Sequence, residues 1–270
     1  MQGHGRTGQQ GSDRQVRQSA APSGATRGGP PEVYAPGLPR ARRVFARHAA
    51  HLWRALLPSA CLACTAVQRD VVCAACAARL LQPVPRCPRC ATPHSHGPCG
   101  QCADDDPIDT TLTLGDYTAP FDRLILQLKF GGQLPAAAWL AERLAHAMRD
   151  DALPDLLVPI PLSASRLAER GFNQAWEIGR PLARRLGVPA SPSMLWRLRD
   201  TASQRTLDLP ARLANLRQAF SVSPAARLDG LHIALVDDVM TTGATLREAA
   251  RALKAHGAAR VTAVAALRTP

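Results

Sequence analysis

All eight cysteines of the chain fall between Cys61 and Cys102, in four pairs of one form, C-x-x-C: Cys61/Cys64, Cys73/Cys76, Cys87/Cys90 and Cys99/Cys102. A C-x-x-C turn brings two thiolates onto one ion, and a tetrahedral Zn²⁺ takes two such turns. Eight residues separate the first pair from the second, and eight separate the third from the fourth. That symmetry suggests two consecutive zinc ribbons of four sulfurs each, over residues 58–105. A crossed arrangement, first pair with third and second with fourth, satisfies the same spacing. Paired knuckles in a chain without a secretory signal point away from a disulfide framework. Thioredoxin-type motifs come singly, so redox chemistry also fits poorly. His94 and His96 lie between the last two pairs and read as loop residues, since eight thiols already supply two sites.

Near the other end, Leu231 to Leu246 reads LHIALVDDVMTTGATL. An apolar run closes on Asp237 and Asp238, as expected of a buried parallel strand. The turn Met240-Thr241-Thr242-Gly243-Ala244-Thr245 follows, and a helical pattern begins. Ligands on open α/β sheets bind beyond the carboxyl ends of strands, and a helix N-terminus favours phosphate. The adjacent acids suit ribose hydroxyls or the waters of a bound Mg²⁺ better than phosphate. A strand-ending helix cap, or a receiver-type acceptor site, would account for the acids but not for three threonines and a glycine in five positions. The stretch resembles the phosphoribosyl-pyrophosphate (PRPP) loop of type I phosphoribosyltransferases.

A second strand end lies in LLVPIPLSASRLAERGFNQ, residues 156–174. Pro159 and Pro161 stop the strand and stiffen the turn. Arg166 and Arg170 follow, and guanidinium groups beside a helix N-terminus suit a pyrophosphate, which Arg grips at two oxygens. Solvated helix-surface charges are the plain alternative for both.

Strand patterns fall at Thr110–Tyr117, Leu156–Pro159, Met194–Leu198, Leu231–Asp237 and Val261–Leu267. Helical patterns fall at Phe121–Phe130, Pro135–Arg149, Gln174–Leu186, Pro210–Ala219 and Thr245–His256. Strands alternating with helices predict a parallel α/β sheet over residues 109–270. Residues 1–57 read as a basic extension, polar and disordered to about residue 38, with a short helix over Arg40–Leu57. Nine arginines against Asp13 and Glu32 place seven of the twelve net positive charges there. A basic balance suggests anionic partners. Its concentration in the extension, and a composition rich in Ala, Arg, Gly and Pro, weaken that inference for the rest of the chain. No run reaches the length of a membrane span and no signal-peptide core is present, so a cytoplasmic protein is expected.

These motifs, in this order and spacing, resemble the ComF (competence protein F, or ComFC-like) family from about Leu57 to Arg268. The match runs through CLAC, CAAC, CPRC and CGQC, then LKF at 128–130, VPIPL, RGFNQ, RDTASQRTL, RLANLRQAF and LVDDVMTTGATL. The resemblance implies a double zinc ribbon fused to a type I phosphoribosyltransferase domain, and a link to DNA uptake. It also implies that Asp237 and Asp238 hold the ribose and that Thr241, Thr242, Gly243, Ala244 and Thr245 hold the 5′-phosphate. Arg166 and Arg170 would face the pyrophosphate. Asp200–Phe220 matches the place of a mobile loop carrying Gln204 and Arg205, and Lys129 in LKF faces a phosphate or is a helix-end cation. No base-reading hood follows the last strand, so an acceptor pocket is expected from residues 103–150 or the cysteine module. Two functions follow. One is Mg²⁺-dependent phosphoribosyl transfer with Asp238, Arg166, Arg170 and Arg205 as the catalytic set. The other is a non-catalytic adaptor that responds to PRPP or DNA. Candidate partners are PRPP, single-stranded DNA and DNA-uptake or recombination proteins.

Overall fold

The computed structural model describes residues 59–94, 99–100, 102–149, 152–198 and 219–270. The expectations for residues 1–57, for His96, for Gln204 and Arg205, and for a helix over Pro210–Ala219 lie outside these residues, save Ala219 itself. Two short strands, β1 (Ser59–Ala60) and β2 (Val67–Gln68), and helix α1 (Ala74–Leu80) frame the first cysteine cluster. Then come β3 (Thr110–Asp116), α2 (Asp122–Phe130), α3 (Leu134–Ala147), β4 (Leu156–Pro159), α4 (Ala164–Arg170) and α5 (Gln174–Leu186). The chain finishes with β5 (Leu195–Arg197), β6 (Phe220–Val222), β7 (His232–Met240), α6 (Ala244–Ala255) and β8 (Arg260–Arg268).

Four strands form a parallel sheet in the order β3-β8-β7-β4. Its middle strands are apolar on both faces, which is what a sheet covered twice requires. Ala234 and Val236 of β7 and Val264 and Ala266 of β8 face one cluster, with α3 and α5. Ile233 and Leu235, with Val261, Ala263 and Ala265, face the other, under α6 and the β5–β6 pair. Helix α6 buries Leu246, Ala249, Ala250 and Leu253, an i, i+3, i+4, i+7 stripe that fits the sheet.

Both outer strands are covered, which removes the free edge that invites further pairing. Along β4, Leu157 N–H donates to Pro189 O and Leu157 O accepts from Ser191 N–H, each at 3.0 Å. Along β3, Thr111 N–H donates to Pro88 O at 2.6 Å and its hydroxyl donates to Arg89 O. The cysteine module is therefore packed onto the sheet. Cys61, Ala63, Val72, Cys76 and Leu80 share one hydrophobic cluster with Leu114, Phe121 and the α3–α5 layer. Gly115 permits the approach: a Cβ there would lie 2.7 Å from Leu80 Cδ1 and 3.1 Å from Leu80 O. At the end of β8 the buried Arg268 donates to Cys90 O and to Thr92 Oγ1, both at 2.7 Å.

The cysteines form two clusters of consecutive pairs, Cys61, Cys64, Cys73, Cys76 and Cys87, Cys90, Cys99, Cys102, which resolves the pairing that spacing left open. All eight are free thiols. Sulfur pairs at 3.8 Å (Cys64 with Cys73), 3.7 Å (Cys87 with Cys102) and 3.4 Å (Cys90 with Cys99) lie close to the ~3.8 Å edge of a tetrahedron with ~2.3 Å Zn–S bonds. The donor sets fit structural zinc. Burial opposes ionisation of Cys61, but the backbone N–H groups of Cys64, Cys73 and Ala63 outweigh it and bring the thiol down to about 6. Burial and the neighbouring sulfurs push Cys76 up to about 12. A divalent cation relieves this crowding of negative charge.

Three differences from the sequence reading have physical reasons. Met194–Leu198 contributes β5, which pairs antiparallel with β6 outside the parallel sheet. Its exposed Trp196 and Leu198 leave it without the two apolar faces a central strand needs. Helix α4 has no buried residue, so no apolar periodicity announces it. It is bounded by its caps, Ser163 and the left-handed Gly171. Strand β7 runs through Met240, three residues past Asp237, because β8 continues to pair with it as far as Arg268.

Elemental analysis of protein purified without chelator is expected to give two zinc ions per chain; one or none would contradict the two-cluster geometry. Arg268→Ala is expected to lower stability by about 2–3 kcal/mol, since it strands buried acceptors that a charged donor had satisfied. Urea denaturation of the metal-loaded protein measures the loss.

Candidate functional site

At the carboxyl ends of β4 and β7 the chain encloses a cleft of about 300 Å³, where an open α/β sheet binds its ligands. The site is built from three loops and the helices they open. After β4, Ile160, Pro161 and Leu162 form one wall and lead to α4, which presents Arg166 and Arg170. Asn173 fixes the next turn: its side chain accepts from Ala175 N–H at 3.0 Å and donates to Ile160 O at 2.9 Å. One residue therefore caps α5 and ties it to the end of β4. Arg170 donates to Gln174 Oε1 at 3.0 Å and lies 5.5 Å from the centre of the Phe130 ring, a cation–π distance. Both contacts hold the guanidinium at the cleft.

The opposite charge comes from β7. Asp237 Oδ1 accepts from Asp238 N–H at 2.8 Å, and Asp238 Oδ1 accepts from Val239 N–H at 3.0 Å. Lys129, in the last turn of α2, reaches Asp238 Oδ2 at 2.6 Å, with both side chains largely buried. Dense protein surroundings, then the neighbouring Asp238 carboxylate, push the Asp237 carboxyl well above the usual range, although part of the residue meets solvent. Two adjacent acids sharing one lysine leave repulsion uncompensated.

The loop to α6 turns at Gly243, which has φ +77°. A Cβ there would lie 2.5 Å from Met240 Cε and 3.0 Å from Arg247 Nη1, so both conformation and space demand glycine. The first N–H groups of α6 have no intrahelical partners. Thr242 Oγ1 stands 3.4 Å from Ala244 N, and Thr241 and Thr245 line the cleft.

Of the residues singled out from sequence, the cleft gathers Lys129, Arg166, Arg170, Asp237, Asp238, Thr241 and Thr245. Thr242, Gly243 and Ala244 shape the loop without lining the cavity, and Arg205 lies outside the described residues. Tyr117, Gln174 and Arg197 also line it without having been named for the site. Gln174 stood inside the RGFNQ motif, where its 2% exposure marks a polar group buried for a purpose. Tyr117 and Arg197 carry no local signal, since only folding brings the ends of β3 and β5 to this place.

The acid pair makes an opposed prediction for stability. A carboxyl whose pKa is raised on folding binds more protons in the native state, so it favours folding at low pH. That contribution is lost as pH rises through the raised value. Asp237→Asn removes this penalty and is expected to raise the Tm by about 3 °C at pH 7. Asp238→Asn leaves Lys129 without its partner and is expected to lower stability by about 1–3 kcal/mol. Calorimetric scans of the two single variants check the contrast in sign.

Residues 134–270 match the family model described as phosphoribosyl transferase domain. The DNA utilization protein YhgH of Salmonella typhimurium is 37% identical over 217 residues, covering 76% of this chain and 95% of that protein. Competence protein F of Haemophilus influenzae is 32% identical over 201 residues, 71% of this chain and 87% of that protein. Competence protein ComFC of Bacillus subtilis is 30% identical over 209 residues, 70% of this chain and 80% of that protein. With relatives at 30–37% identity matched over 80–95% of their own length, the chain belongs to the ComF family of competence-associated proteins, and it joins two four-cysteine zinc-binding clusters to a phosphoribosyl transferase domain.

Proposed function

We propose that the cleft binds PRPP together with Mg²⁺ and transfers its phosphoribosyl group to an acceptor, releasing pyrophosphate. The observation that carries this reading is the distribution of charge around one cavity. Asp237 and Asp238 stand beside a hydroxyl-rich loop, and Arg166 and Arg170 line the same space. A ribose with a phosphate at one end and a pyrophosphate at the other has the complementary pattern. The acids accept from ribose hydroxyls, the loop and the first turn of α6 donate to the 5′-phosphate, and the arginines face the pyrophosphate.

Transfer breaks the bond from the ribose C1 to the pyrophosphate oxygen, and the electron pair leaves with pyrophosphate. Arg166 and Arg170 stabilise that departing charge, and positioning supplies most of the remaining acceleration. The donor set fits a divalent cation. Lys129 pairs with Asp238, and burial together with the neighbouring Asp238 carboxylate raises the Asp237 carboxyl well above its usual range, a repulsion that a divalent cation would relieve. Mg²⁺ bound through one or two carboxylates and substrate phosphates would neutralise pyrophosphate oxygens. Arg205 completes the catalytic set in this reading, and a cytoplasmic location follows from where such a substrate is available.

The names of the relatives, which speak of DNA utilization and competence, support placing the activity in the handling of DNA taken up by the cell. Single-stranded DNA and uptake or recombination proteins are then the partners. The Lys129–Asp238 ion pair favours a second reading, a PRPP-responsive adaptor, because it engages one of the two acids that turnover would use.

Titration calorimetry with Mg²⁺ and PRPP is expected to show binding to the wild type, weakened at least about tenfold in the Asp237→Asn/Asp238→Asn double variant by the loss of charged acceptors. Unchanged affinity in a folded double variant would remove the site assignment. Pyrophosphate released with a panel of bases and nucleotides separates enzyme from adaptor: binding without release selects the second reading.

A further inference from the structure

The loop between β7 and α6 is held from behind by a buried ion pair that reaches back to the cysteine module. Arg247, one turn into α6, donates from Nε to Asp106 Oδ2 at 2.7 Å and from Nη1 to Thr242 O at 2.6 Å. Asp106 is 97% hidden at its side chain, with 3% exposure, and its other oxygen accepts from Ile108 N–H at 3.0 Å. It lies four residues after Cys102, on a segment that Arg89 grips through Ala103 O at 3.1 Å. Arg89 itself sits between Cys87 and Cys90. A second route leaves the same cluster. Cys90 O accepts from Arg268, and the next residue, Thr269, donates its N–H to Met240 O at 2.9 Å. The loop Thr241–Gly243 is thus tied at both ends to the second cysteine cluster.

A buried ion pair is weak evidence for stability, because desolvation offsets most of its attraction; fixing one arrangement among several is its better-attested use. The loop needs such fixing. Gly243 at φ +77° is the residue type with the widest choice of conformations. In a trans peptide the carbonyl and the following N–H point in opposite directions. Holding Thr242 O against Arg247 therefore turns the Gly243 N–H to the side away from it. Lysine cannot replace this arginine, since one ammonium does not span a carboxylate and a carbonyl in a rigid fork.

We propose that Asp106 and Arg247 are positioning residues that hold the Thr241–Gly243 loop in its ligand-ready shape and anchor that shape to the second cysteine cluster. The proposal rests on the reading of the cleft as a PRPP site and extends it to residues that line no part of the cavity. The test uses the full, metal-loaded chain with Asp106→Asn, which keeps an acceptor for Ile108 N–H, and Arg247→Lys. Hydrogen exchange should quicken in peptides covering residues 240–247. Affinity for Mg²⁺ and PRPP should fall about tenfold in both variants, about what one lost hydrogen bond to a charged group is worth, measured where circular dichroism shows both variants folded, since a buried charge left without its full partner also lowers stability. Unchanged exchange in both variants would overturn the anchoring. Quickened exchange with unchanged affinity would overturn the positioning role and leave the pair merely structural. A wild type that binds no PRPP would overturn the reading of the cleft, and the exchange pattern would still decide the anchoring by itself.

Discussion

Burial of β7 on both faces is the constraint from which the site follows. A strand enclosed by two helical layers carries only apolar side chains along its length, so its polar residues collect where the layers end. Ile233 to Val236 are fully buried, and the acids come directly after them. The backbone then continues as strand through Met240 because β8 still pairs with it, which keeps Asp237 and Asp238 on a rigid element instead of a loop. Only after this support ends does the chain turn at Gly243 into α6.

The second dependence is on the cysteine module. A parallel sheet leaves two edges, and here β3 is closed by backbone from the segment between Cys87 and Cys90. Side chains of the first cluster join the hydrophobic layer under α3 and α5. The metal-binding segment is thus part of the same packed body as the phosphoribosyl transferase fold. Small regions rich in cysteine depend on a cation for their stability, and here that dependence extends to a strand edge and to Arg268 at the end of β8.

Charge is placed against stability at the cleft. Adjacent carboxylates at Asp237 and Asp238 repel each other, and one lysine satisfies one of them. Two arginines stand at the same cavity, one of them steadied by an aromatic ring and a buried glutamine. Sites that recognise charged ligands commonly carry strain of this kind.

Much was legible in the sequence because it is local. The C-x-x-C turns, the apolar run ending in Asp237 and Asp238, the glycine and threonines of the following turn, and the helical stripe of α6 each depend on residues within a few positions of one another. Those features determined the fold class, the zinc ligands and the acids and threonines that meet at the cleft. What remained hidden is long-range. The consecutive pairing of the cysteines rests on how α1 and the loops pack, since both pairings satisfy the same spacing. The ion pair of Lys129 with Asp238 joins residues more than a hundred positions apart, and so does that of Arg247 with Asp106. Tyr117 and Arg197 reach the cavity only because β3 and β5 end beside it. Periodicity and spacing report which face of an element is apolar; which elements then become neighbours is settled by the packing of the whole sheet, and side-chain partners across it follow from that alone.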